Sequence, residues 1–288
     1  MEVPLEILNA HPRDKRITIV KNGNVRYYLI DGERNNHYST TERLSFFWSK
    51  PFPADEKWGP AGNPFRVEKE RLNLETAIFG NFFHLQLEQY ENNLPFQPDA
   101  RYPQYKQFED LPNWNKYLQF RETLEPYWKM YRTEWFVFSK QFHLPGTIDA
   151  VYRDMRYKDK LVLMVVDYKT SKDPCGFWCD CKGTYDSERQ NPDPQSHYPS
   201  CSAIGQQPAT RDWLSTKCNK DFTQVCIYSK ILEDLYSTKE MKIIVSNAIV
   251  VYLNAEPVWP LYIHTDDRSR FSSVVEAIIK YTIKKPYN

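Results

Sequence analysis

The stretch GTIDAVYRDMRYKDKLVLMVVDYKTS, running from Gly146 to Ser171, decides how this chain is read. Two apolar, β-rich runs flank the polar centre RYKDK, which predicts strand, turn and strand. With the turn centred on Lys158, Asp149 and Asp167 each lie nine residues away, so an antiparallel register sets them opposite one another. Two facing carboxylates beside an apolar run repel unless something cationic sits between them. Oxygen ligands suit Mg²⁺ or Mn²⁺ better than Zn²⁺. Lys169 follows Asp167 by two positions and so shares its face of the strand. The chemistry expected of this set is phosphodiester hydrolysis: a bound ion polarises the phosphate and activates water, and Lys169 orients that water or steadies charge on the phosphate oxygens. Taken alone, a D-x-K tripeptide is frequent by chance and reads as ordinary charges at the solvent end of a hairpin.

The pattern around the hairpin supplies the rest of a domain. EWFVFSKQFHLPGTIDAVYRDM predicts strands, with Glu134 on the one before Asp149. Upstream, Val67–Asn92 reads as a helix, with Ile78, Phe82, Leu85 and Gln89 along one side, and His84 and Glu88 sharing a face. A second helix is expected over NKYLQFRETLEPYWKMY. RITIVKNGNVRYYLIDG predicts a hairpin turning at Asn22-Gly23, because that dipeptide tolerates positive φ. Ser39 and Glu42 form the capping-box signature of a helix start in STTERLSFFW, and PFPADEKWGPAGNPF reads as a loop. Downstream come a polar insert over 171–219, a helix in FTQVCIYSKILEDLY, a strand in KIIVSNAIVVYL and a final helix in SRFSSVVEAIIKYTIKK.

Composition narrows the field. The 288 residues suffice for one large domain or two modest ones. The net charge of +1 gives no whole-molecule reason to bind nucleic acid or membrane, so any basic surface must be local. Aromatic residues make up 15% of the chain; they serve core packing first and base stacking second. The longest aliphatic run, LVLMVV, is far too short to span a bilayer. MEVPLEILNAHPRDKR lacks the apolar core of a signal peptide, so an intracellular protein is expected, in cytoplasm, nucleus or a viral factory. The six cysteines then read as thiols or metal ligands.

Four blocks in order carry a resemblance: Gly80 and His84 in GNFFHLQLE, Gly146 and Asp149 in GTID, Asp167 and Lys169 in DYKTS, and Gln224 and Tyr228 in QVCIY. Their sequence of G-x-x-x-H, G-x-x-D, D-x-K and Q-x-x-x-Y on helix, strand, strand and helix resembles the PD-(D/E)xK nuclease superfamily, in its RecB-type branch, which includes mitochondrial genome maintenance exonuclease. The likeness runs from about Ser39 to the last helix and leaves the first hairpin and the cysteine insert uncovered. It implies an α/β fold: a restriction-endonuclease-like core with a central mixed β-sheet flanked by helices, here with an N-terminal β-hairpin and a cysteine-containing insert. Residues 1–60 would pack on a core spanning 61–288. It further implies His84, Asp149 and Asp167 as metal ligands, Asp149, Asp167 and Lys169 as catalytic residues, Glu134 as a second-tier site residue, and Gln224, Tyr228 and Thr170 as DNA contacts. The implied activity is an Mg²⁺- or Mn²⁺-dependent deoxyribonuclease, an exonuclease on single-stranded ends or flaps, partnered by DNA and by replication or repair proteins. The alternative is a non-catalytic nucleic-acid-binding protein that keeps the fold. No phosphate loop of the G-x-x-x-x-G-K-[ST] form accompanies it.

The insert holds Cys175, Cys179, Cys181, Cys201 and Cys218. It reads either as a flexible loop with free thiols or as a structural Zn²⁺ site, although C-x-x-x-C-x-C is not a usual zinc knuckle. An iron–sulfur cluster does not fit, because in nucleases of this branch that carry one the cysteines flank the motifs, one before and three after. A loop of this length commonly forms a lid or binding segment, with Lys172, Lys182, Arg189, Arg211 and Lys217 as phosphate contacts or as solvated charges.

Overall fold

The computed structural model describes residues 4–9, 11, 14–22, 25–33, 39–48, 62–170, 210, 217–254 and 259–280. Cys175, Cys179, Cys181, Cys201, Lys172, Lys182, Arg189 and Arg211 lie outside these, as does most of the Pro/Gly-rich loop. The zinc and phosphate-contact readings of the insert fall there too.

In chain order the elements are α1 (Leu5–Leu8), β1 (Ile17–Asn22), β2 (Val25–Ile30), α2 (Thr40–Trp48), α3 (Pro64–Glu91), α4 (Trp114–Leu124), β3 (Trp128–Ser139), β4 (Leu144–Asp154), β5 (Leu161–Lys169), α5 (Lys217–Leu235), β6 (Ile243–Tyr252), β7 (Trp259–His264) and α6 (Thr265–Lys280). Strands β3 to β7 form one sheet in that spatial order. Its neighbours run antiparallel except β5 and β6, which are parallel and joined through α5. The fold is thus mixed α/β, a mixed sheet flanked by helices, with β1 and β2 as a separate antiparallel hairpin. Among the described residues no helix is long and apolar enough to cross a membrane.

The two faces of the sheet bury different layers. Leu163, Val165, Val250 and Tyr252 pack with Val225, Leu232 and Ile278 of α5 and α6. Met164, Val166, Tyr168, Ile249 and Val251 pack with Phe82, Phe83, Tyr117 and Phe120 of α3 and α4. This explains the unbroken run LVLMVV: a strand covered on both faces has no solvent side to alternate toward. Fully burying each such valine contributes about 1.5–3 kcal/mol. The α3/α4 layer is rich in aromatic residues, and there Phe79, Phe82, Tyr102 and Tyr105 pack ring against ring.

The central register agrees with the sequence reading. The β4/β5 ladder runs from Arg153↔Leu163 to Ala150↔Val166, a register centred on Lys158, and it ends there, one residue short of Asp149 and Asp167. The cap of α2 also forms, with the Ser39 amide donating to Glu42 at 2.7 Å and the Glu42 amide donating to Ser39 Oγ at 3.2 Å.

Several boundaries differ from expectation. The first hairpin pairs Asn22 with Val25, so Asn22 is a strand residue and not part of the turn. The second helix ends at Leu124, and Trp128 and Met130 already belong to β3; Pro126 disfavours helix in the residue before it and cannot extend one. The buried side of α3 is Phe82, Phe83, Gln86 and Leu87, whereas Ile78, Leu85 and Gln89 are only half-buried. The insert ends sooner than expected, because α5 starts at Lys217 and takes in Cys218 and Asn219. Strand β7 and the short α1 were not foreseen.

Candidate metal centre

The fold gathers the sequence-selected residues in one place. A cleft of about 1000 Å³ is lined by Gly80, His84, Glu134, Asp149, Asp167, Lys169, Thr170, Gln224 and Tyr228, together with other residues. It opens where β3, β4 and β5 pass between α3 and α5.

A local irregularity builds the first half of the site. On β3 and β4 the paired residues Trp135 and Ile148 face the α5/α6 layer. Two positions along, Ala150 lies in the α3/α4 layer and its partner Thr133 accepts a hydrogen bond from Asn92, just beyond α3. Both strands therefore change faces between these pairs, at Glu134 and Asp149. Glu134 makes the change with φ of 41°, a left-handed conformation that is strained for a residue with a Cβ. The twist turns both carboxylates toward His84.

His84 Nδ1 lies 3.5 Å from Glu134 Oε1 and 3.5 Å from Asp149 Oδ1. Its other nitrogen, Nε2, sits 3.1 Å from the Tyr168 carbonyl, which orients the ring. The Tyr168 amide in turn donates to Asp149 Oδ2 at 2.8 Å. Ligand atoms of His84, Glu134 and Asp149 all lie within 4.8 Å of one another, and among the described residues this is the one group so placed. The second-tier Glu134 thus joins the central cluster, and Asp167 stands beside it, outside the group. Burial by itself lowers the pKa of His84, but Asp149 and Glu134 outweigh it and raise the value well above the usual imidazole range. For Asp149 burial pushes upward, yet His84, Lys169 and the Tyr168 amide prevail and hold it below its usual value.

The second half of the site centres on Lys169. Its Nζ lies 2.6 Å from Asp167 Oδ2 and 3.6 Å from Asp221 Oδ1. Gln224 Nε2 donates to Asp167 Oδ1 at 3.4 Å and to the Tyr228 hydroxyl at 3.2 Å. Asp167 is 3% exposed. Burial first, then the nearby Asp149 and Asp221, raise its pKa to about 7 against the opposing pull of Lys169.

Of the two motif glycines, Gly146 is a close-approach position. A Cβ on Gly146 would overlap the Tyr228 ring and stand 3.1 Å from Thr40 Oγ1. One on Gly80 would meet Thr170 Oγ1 at 3.4 Å. Gly146 therefore lets G-x-x-D touch Q-x-x-x-Y, whereas at Gly80 a side-chain carbon would make only ordinary contact with the end of D-x-K.

Asp221 escaped the sequence reading, as did Tyr252, whose hydroxyl donates to Asp221 Oδ2 at 2.7 Å. The signal for Asp221 was its place three residues before Gln224, which sets both on one side of a helix. The helix was expected to begin at Phe222, so Asp221 was left in the loop.

No protein-family model matches this chain, and no curated protein matches it.

Proposed function

We propose that this chain is a metal-dependent deoxyribonuclease of PD-(D/E)xK type, with a restriction-endonuclease-like core, acting on single-stranded DNA ends or flaps. The observation that carries the reading is the seating of His84: its Nε2 is held by the Tyr168 carbonyl, which leaves Nδ1 facing two carboxylates. Metal-binding histidines are oriented in this way by a partner on the far nitrogen. The order of the motif blocks on α3, β4, β5 and α5 gives further support.

The donor set fits a hard divalent ion. His84, Glu134 and Asp149 would hold it, and Asp167, which lines the same cleft, would join them as a further ligand. Bound there, Mg²⁺ or Mn²⁺ would polarise the scissile phosphate and lower the pKa of an attacking water. In this reading Lys169 keeps its ammonium within the cleft, between Asp167 and Asp221, where it can donate to that water or to a phosphate oxygen. Gln224 steadies the Asp167 carboxylate and positions the Tyr228 hydroxyl, and Thr170 stands at the wall where a strand would enter.

The test is digestion of end-labelled single-stranded DNA, linear and circular, with Mg²⁺, with EDTA, and with Asp149→Asn or Asp167→Ala protein. Metal-dependent shortening of linear DNA alone, abolished in both variants, is expected. Equal cutting by variant and parent would refute the site; binding without cutting by all of them would favour the non-catalytic reading.

A further inference from the structure

Two buried carboxylates share one ammonium in the cleft, and stability does not explain the second. Asp221 is 7% exposed and adds to the charge that already repels Asp167. Burying a further acid beside an existing ion pair costs desolvation as well as repulsion.

The geometry is asymmetric in a useful way. Asp221 is fixed: Tyr252, itself fully buried, donates to Oδ2 and leaves Oδ1 facing Lys169. The Lys169 backbone is fixed too, paired with Tyr252 in the parallel ladder and accepting from the Leu253 amide at 3.0 Å. What can move is the lysine side chain, whose Nζ is 2.6 Å from one acid and 3.6 Å from the other. A small swing exchanges partners without taking the ammonium out of the cleft.

We propose that Asp221, anchored by Tyr252, is a positioning residue that receives the Lys169 ammonium when a divalent cation engages Asp167. This rests on the metal-dependent reading above. An ammonium at 2.6 Å from Asp167 and a cation on the same carboxylate repel one another strongly in a buried site. With Asp221 present, the lysine yields Asp167 and keeps an acidic partner. Without it, the lysine stays on Asp167 and competes with the ion.

The experiment is isothermal titration of Mn²⁺ into the full-length, DNA-free protein, for parent, Asp221→Asn, Lys169→Met and the double variant, with metal-free thermal melts alongside. Asp221→Asn is expected to weaken Mn²⁺ by about 10–100-fold, the range for outer partners of metal ligands, while melting no lower than the parent. Lys169→Met keeps parental affinity or better. In that background the Asp221→Asn loss shrinks to about threefold or less, because the effect acts through the lysine. Tyr252→Phe, which loosens the anchor without removing charge, gives a smaller loss of the same sign. Parental affinity in both Asp221→Asn and Tyr252→Phe overturns the proposal. So does an equal loss with and without Lys169, which would make Asp221 act on the ion directly. A parent protein that binds no Mn²⁺ is a different failure, since it removes the metal centre itself.

Discussion

A carboxyl group that titrates near 7 holds its proton more tightly in the folded chain than in the unfolded one, where an aspartate titrates near 4. Asp167 therefore withdraws stability as pH rises from about 4 to about 7, and the loss is complete above that window. In EDTA, Asp167→Asn should melt several degrees above the parent at pH 8, a gain on the order of 4 kcal/mol at about 1.4 kcal/mol per pKa unit, and the gap should close toward pH 4. A calorimetric melt at three pH values decides it; a constant gap would mean that packing, not charge, sets the difference. Glu134 carries a different load, its left-handed backbone. Glycine accepts that conformation freely, so Glu134→Gly should be about 1 kcal/mol more stable than Glu134→Ala, while under the proposed function both lose Mn²⁺ affinity. Denaturant melts of the two variants compare them directly. At this scale strand spacing singled out Asp149, Asp167 and Lys169, whereas Gln224 and Tyr228 came from the resemblance, with their spacing of four placing them on one side of a helix. The positive φ of Glu134 was not, because it arises from two strands changing faces together, and no local signal marks it.

Between elements, the decisive contacts are glycine contacts. Gly146 admits the Tyr228 ring of α5 and Thr40 of α2 against β4, so the sheet, the capped helix and the motif helix meet at one Cα. Gly146→Ala should destabilise the protein by about 1–3 kcal/mol through overpacking. It should also displace Tyr228 from Gln224. Thermal melts give the first effect; under the proposed function, a rise in KM for DNA exceeding that of a surface variant of matched stability gives the second. The elements themselves were mostly readable. Periodicity located α3, β4, β5, α5, β6 and α6, and Ser39 with Glu42 located the start of α2. The ends were less readable: α5 begins with KCNKD, a stretch without apolar periodicity, within which Asp221 accepts from Tyr252 of β6. Strand β7 was missed because WPLYIH contains a proline, which counts against a strand until its place at the sheet edge is known.

For the molecule as a whole, a net charge of +1 leaves little long-range attraction for a polyanion. If the proposed activity holds, binding to single-stranded DNA should rest on few phosphate contacts. The plot of log K against log salt should then be shallow, with a slope of about −2 to −4, for roughly three to five contacts. Fluorescence anisotropy across a salt series measures it, and a slope near −10 would require a basic surface that the composition does not suggest. The sequence by itself determined most of the alternation of helices and strands, the turn at Lys158 and the register that carries Asp149 and Asp167 to the same end of the hairpin. These depend on near neighbours along the chain, where period and spacing act directly. Only the tertiary structure decided that Glu134 completes the cluster with His84 and Asp149, that Asp167 is shared with Lys169, and that Asp221 and Tyr252 stand behind the lysine. Those partners come from α3, β3, α5 and β6, far apart in sequence, and are brought together by the burial of two apolar layers on opposite faces of one sheet.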